Sequence, residues 1–288
     1  MALFHKKGPR CRGPSESLGD QLKDRMWFPF SRPKIPVVQL RGMILSRAGM
    51  LNLESCTPLL ERGFALAKKS RKLVLAIESP GGSATQSDLI GQFIRRRAEK
   101  DKIELTAVIG DVGASGGYWL ACAADHIFAS RLSIVGSIGV VTEGFGFSEL
   151  ISRYGIERRV LTAGTNKRRN DMFAPQREED AVFTQELLNE VHTMFKDWVR
   201  ERRGTRLTPD ETQIFDGGFM LGERAETLGL IDGFSDVEQV VKTLGGDRAK
   251  AYWIKPRPSK GLLRMLLRNA TEVALDVAEE RAATPVIK

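Results

Sequence analysis

Ser115 is the residue whose setting most invites chemistry. It lies in the stretch DVGASGGYWLACAAD, residues 111–125, flanked by Gly113, Gly116 and Gly117. Glycine costs backbone entropy and contributes no packing. Glycines around a serine therefore mark a tight turn that a neighbouring strand or a substrate can approach closely. Residues 113–117 fit G-x-S-x-G, the pattern of a nucleophile on a strand-to-helix turn. The pattern alone is weak, because a serine nucleophile needs a base within hydrogen-bond reach. The chain has three histidines, His5, His126 and His192. His126 follows at the far end of the helix that Ser115 opens; at about 1.5 Å per residue it sits roughly 15 Å away. His192 reads as a structural residue within a helix, and His5 lies in a Pro-rich, charged N-terminal stretch. Lysine is the other base open to a serine nucleophile. Lys167, in LTAGTNKRRN (161–170), follows a strand-like run and a glycine. Arg168 and Arg169 beside it could add positive field that favours its neutral form. The competing reading is a surface loop with three solvated basic side chains.

Acyl transfer also needs two backbone N–H groups aimed at the developing oxyanion. Gly116, directly after the serine and at a helix start, can supply one. The stretch SPGGS, residues 79–83, can supply the other: Pro80 has no N–H, whereas Gly81 and Gly82 do and carry no side chain. An ordinary strand-to-helix turn would look the same. The elements around these loops are legible. Residues 35–45 read as a strand and 51–69 as a helix. Leu73–Ile77 and Leu105–Ile109 are continuous apolar runs, as expected of strands buried on both faces of a sheet. Each ends at one of the glycine-containing loops, and a helix-like segment follows. Further strands are expected at 127–130, 137–141 and 156–161, with helices at 147–154, 176–203 and 236–244. The alternation predicts an α/β domain with a mostly parallel sheet, whose strand C-terminal ends are where ligands bind.

ESPGGSATQS (78–87), the Ser115 stretch and IVGSIGV (134–140) together resemble the signal peptide peptidase SppA and SohB-like serine peptidases. VVQLRGMI (37–44) is similar to that family's first strand, and LGERAETLGLID (221–232) to its G-x-x-A-x-x-x-G-L-x-D segment. The resemblance covers residues 36–245. It implies a Clp/crotonase fold of stacked βα units and a Ser–Lys dyad, with Ser115 as nucleophile and Lys167 as general base. It also implies Gly82 and Gly116 as oxyanion donors and Ser137 as a serine that helps hold the lysine amine. No cofactor and no metal are implied. Peptide or protein substrates and a homo-oligomer are, and some members complete each site across a subunit boundary. A crotonase-type acyl-CoA enzyme on the same fold and a non-catalytic oligomeric scaffold are the alternatives.

Composition sets outer bounds. The 288 residues suffice for a large core. No apolar run approaches the roughly 18 residues of a membrane span, and the first thirty residues lack a signal-peptide core. Three scattered cysteines argue against a disulfide framework or a CxxC metal site. The net charge of +8 is concentrated at the two ends. Solvated tails are the plain reading of this, and contact with an anionic lipid surface is the sharper one; no nucleic-acid motif appears, and no nucleic-acid partner is expected. The expected location is cytoplasmic, with a peripheral position on the inner face of the membrane as the alternative. The expected organisation is a flexible basic arm over 1–34, a peptidase domain over 35–245, and a C-terminal strand and amphipathic helix tail over 246–288.

Overall fold

The computed structural model describes residues 32–164 and 166–256. In chain order the first half gives β1 (Lys34–Arg41), α1 (Leu53–Ala67), β2 (Lys72–Ser79), α2 (Ala84–Asp101), β3 (Glu104–Ala114), α3 (Gly116–Cys122), β4 (His126–Ala129) and β5 (Ile134–Gly136). The second half gives α4 (Ser148–Arg153), α5 (Glu178–Arg203), β6 (Phe219–Leu221), α6 (Gly222–Thr227), β7 (Gly233–Phe234), α7 (Val237–Gly245) and β8 (Lys250–Ile254). The strands form one sheet in the order β6-β5-β3-β2-β1-β8, with β4 and β7 branching from β3. Its ladders are parallel except β5–β6.

The apolar runs read from the sequence become central strands because helices cover both faces. Val38, Leu40, Leu73, Leu75, Ile77, Leu105 and Ile109 join the core formed with α1, α2 and α3. The alternate residues Ile35, Val37, Val74, Ala76 and Val108 pack with Val240 and Val241 of α7. α3 is buried along its whole length. Its Trp119 ring lies 4.7 Å from Phe195 and 6.3 Å from Trp198 of α5, and Trp198 Nε1 donates to Trp119 O at 3.0 Å.

Residues 229–232 clamp this assembly from below. Tyr118 Oη donates to Leu230 O at 2.7 Å. Arg203, at the end of α5 and only 2 % exposed, donates to Gly229 O and, through both terminal nitrogens, to the Asp232 carboxylate at 3.0 and 2.9 Å. Asp232 also accepts from Ile127 N at 2.7 Å, which ties it to β4.

Two expectations need correction. Residues 156–161 are not a strand: Ile156 and Leu161 are exposed, and among the described residues no ladder reaches them. A strand-like segment forms a strand only where a neighbour offers backbone partners. The strand expected at 137–141 lies instead at Ile134–Gly136, because Ser137 turns out of the ladder with φ 52°. The strand expected within 246–288 is β8, which pairs in parallel with β1 and extends the sheet past residue 245. The amphipathic tail over 261–282 and nearly all of the basic arm lie outside the described residues. Among the described residues no helix is long and apolar enough to cross a membrane.

Candidate active site

β2, β3 and β5 end side by side, and the loops that leave them carry most of the candidate residues. The β2–α2 loop is set first. Ile44 N donates to Gly81 O at 2.9 Å and Ser83 N to Ile44 O at 2.7 Å, so backbone bonds on either side hold Gly82. Gly81 N donates to Ser79 Oγ at 3.2 Å. Gly82 N has no such bond among the described residues. Ser83 then caps α2, its Oγ accepting from Gln86 N.

β3 arrives with an irregularity. Ile77 pairs with Ile109 but Ser79 pairs with Gly113, so β3 carries extra residues between them. The Glu78 carboxylate accepts from Asp111 N at 2.9 Å and Val112 N at 3.2 Å, satisfying groups that the ladder leaves unpaired. After this bulge Ser115 sits at the strand end with φ 50° and ψ −123°. For a residue with a Cβ such a conformation costs on the order of 1–3 kcal/mol, and it persists only where the surroundings over-determine it. Ser115 N donates to Gly136 O at 2.8 Å, and Ser115 O accepts from Trp119 N at 3.0 Å. Its side chain makes no capping bond and is half-buried.

The glycines allow close approach. A Cβ on Gly81 would lie 2.7 Å from both Gly116 N and Ser115 Cβ; one on Gly117 would lie 2.2 Å from Ser79 O. The first turn of α3 is thus pressed against the β2–α2 loop, with the Gly116 N–H among the helix's unpaired N-terminal donors. Gly81 presses against Ser115 and Gly116, and Gly82 follows it in the loop, held against Ile44.

Ser137 stands beside Ser115, because Ala114 pairs with Gly136 in the β3–β5 ladder. Both serines have positive φ, and Ser137 N donates to Gly218 O at 2.7 Å. Next to it, Ile138 O lies 3.0 Å from His192 Nε2. His192 therefore has a partner that helical periodicity did not show: it holds the Ser137 loop. Burial, with the Lys196 charge adding to it, lowers the His192 imidazole below its usual range. His126 pairs in register with Thr106, at the opposite end of β3 from Ser115. With the two residues of the bulge discounted, strand steps of about 3.3 Å put the two roughly 23 Å apart.

Lys167 occupies a turn and is exposed, with its backbone N donating to Gly164 O at 3.2 Å. Among the described residues no hydrogen bond joins it to Ser115 or Ser137. The field expected from its neighbours is largely committed elsewhere. Arg168 pairs with Asp171, and Arg169 lies 4.1 Å over the Phe183 ring and 3.8 Å from Asp180. Asn170 Nδ2 donates to Thr184 Oγ1 at 2.8 Å, so the turn is moored to the start of α5. Ser115, Ser137 and Gly116 are thus brought together in one chain beside the loop that carries Gly81 and Gly82, whereas among the described residues Lys167 is not joined to them by a contact. Among the described residues no group of three or more His, Cys, Asp or Glu side chains is placed to hold a metal ion.

Comparison with known proteins fits this arrangement. Residues 97–250 match the family model described as Peptidase family S49. The chain is 30% identical over 231 residues to a protease of Synechocystis sp. (strain ATCC 27184 / PCC 6803 / Kazusa), covering 77% of this chain and 79% of that protein. It is 29% identical to the protease SohB of Haemophilus influenzae, covering 81% of this chain and 66% of that one. Over 234 residues it is 43% identical to the Na(+)/H(+) antiporter NhaA of Brucella abortus, covering 80% of this chain but only 31% of that longer protein. The matched region contains Ser115, Ser137 and Lys167, and with these relatives it shows that the chain belongs to peptidase family S49.

Proposed function

We propose that the chain is a serine endopeptidase that works through a Ser–Lys pair. The observation that carries this reading is the strained Ser115, held at positive φ on a strand-to-helix turn with its hydroxyl uncommitted to a cap. In the proposed reaction Lys167 takes the Ser115 proton while Oγ attacks a peptide carbonyl. The Gly82 and Gly116 N–H groups stabilise the oxyanion. The protonated Lys167 passes the proton to the leaving amine. Water then enters by the same base-assisted route and releases the acyl group from Ser115. Ser137, adjacent by register, holds the lysine amine.

Lys167 is exposed in the single chain, so in this reading the pair is completed when chains assemble. Phe145, Tyr154, Ile156, Leu161, Phe219 and Leu221 are all exposed, and most of them flank the Lys167 turn in sequence. They would supply an apolar contact between copies. Peptide segments on the inner membrane surface are the proposed substrates, and the basic N-terminal stretch is the proposed lipid contact.

A fluorophosphonate probe tests the chemistry. It should label wild-type chain at Ser115 and fail on Ser115→Ala. An unlabelled, folded wild-type assembly would exclude a serine nucleophile and favour amide-held acyl-CoA chemistry on the same loops.

A further inference from the structure

The two faces of the sheet are covered unequally among the described residues. α7 packs over one half of its face, with Val240 and Val241 against Ile35, Val37 and Val74. Further toward the strand C-terminal ends, the same face becomes a groove of about 520 Å³. It is lined by Gln39, Ala76, Val108, Leu132 and Trp253, among others. Trp253 is 42 % exposed and Leu132 76 %. Glu78, Asp111 and Asp236 line the same groove and make it acidic. Lys255, two residues beyond Trp253, already lies 5.3 Å over its ring.

We propose that this groove is the docking site of the chain's own segment 261–270. Three features select that occupant. The first is pattern: Leu263, Leu266, Leu267 and Ala270 fall at i, i+3, i+4 and i+7, one face of a helix. The second is charge. Lys260, Arg264 and Arg268 recur every four residues and so form a basic stripe along a helix. That stripe matches the acidic groups of the groove. An anionic lipid surface would be repelled by the same carboxylates. The third is reach. Ile254 pairs with Val38, whose next residue, Gln39, already lines the groove. Residues 255–260 can extend roughly 20 Å, whereas β1 and β3 are only about 10 Å apart. A tether this short holds the segment at millimolar effective concentration, ahead of any free partner.

Hydrogen exchange and cross-linking on the full chain test the assignment. Amides in 261–270 should exchange at least tenfold more slowly than an unstructured peptide. That protection should be lost in a Leu263→Asp/Leu267→Asp variant. Trp253→Ala should do the same. Because it could loosen β8 itself, Leu132→Glu, at an exposed position outside the strands, provides a second variant with the same expected loss. A carbodiimide should join Lys260 to Asp111 or Asp236. In a mixture of ¹⁵N-labelled and unlabelled chains, each cross-link should carry a single isotope. Unprotected amides overturn the proposal. Mixed-isotope cross-links overturn it in favour of a second copy. Protection that needs phosphatidylglycerol vesicles overturns it in favour of a lipid surface.

Discussion

Replacing Asp232 with alanine should cost more stability than any surface change, and the structure fixes why. Arg203 is 2 % exposed, and its terminal nitrogens spend themselves on the two Asp232 oxygens at 3.0 and 2.9 Å. Removing the carboxylate leaves a buried guanidinium uncompensated, which costs about 3–5 kcal/mol. Ile127 N loses its acceptor as well. For a domain of this size each kcal/mol moves Tm by about 2–4 °C, so the fall should be roughly 6–20 °C. Urea unfolding followed by circular dichroism should show a lower midpoint at an unchanged slope. Replacing both partners, as Arg203→Met/Asp232→Leu, should be milder than Asp232→Ala alone, since no charge is then stranded. If Asp232→Ala loses under about 1 kcal/mol, or the double variant is the worse of the two, the clamp does not work as described.

The other expectations are as follows. Burial by itself would raise the Asp232 carboxyl, but its bonds to Arg203 and Ile127 N outweigh this and hold it below the usual range. Its stabilising contribution is therefore present above the unfolded carboxylate value of about 4 and lost as pH falls through the depressed folded value; acid titration should show Asp232→Ala with a shallower stability loss in that window. Gly81→Ala places a Cβ 2.7 Å from Gly116 N and Ser115 Cβ at a residue with φ +99°, and should cut kcat at least tenfold while α3 stays folded by near-ultraviolet dichroism. Ser115→Ala and Lys167→Ala should each abolish peptide hydrolysis, and mixing the two inactive chains should restore part of it if the pair forms between copies. Absence of restored activity in co-assembled chains would place both residues of the pair in one chain. His126→Ala should leave turnover unchanged, because His126 is exposed at the far end of β3; a large loss would reopen the search for the base.

What the sequence makes plain here is whatever local chemistry repeats. β2 and β3 are uniform apolar runs because both faces are buried, and each stops at a loop whose glycines had to be small. Ser115 and its loops could be read for that reason. What stays hidden depends on partners remote in the chain. The bulge in β3 is held by Glu78 from another strand. His192 looks like one more helical residue until Ile138 O is beside it. Arg203 ends a helix rich in exposed charge, so its burial follows only from Asp232. Ile156–Leu161 opens and closes on apolar residues and has no strand to pair with among the described residues.

The pairing of β1 with β8 has a consequence for how the chain is made. Lys34 waits for Lys250 as its ladder partner, so almost the whole described sequence must leave the ribosome before that edge of the sheet is closed. At about 5–20 residues per second the delay is on the order of tens of seconds. Until then β1 is a bare edge strand with Ile35, Pro36, Val37 and Val38 along it, the kind of template on which nascent chains join wrongly. Pro36, which cannot donate to a ladder, sits in that edge and blunts it. Long-range closure of this kind also makes folding slow relative to chains of local contacts. Cells producing this protein should therefore load chaperones in proportion to its synthesis rate, and a truncation before residue 250 should aggregate even though Ser115 and all its neighbours are present.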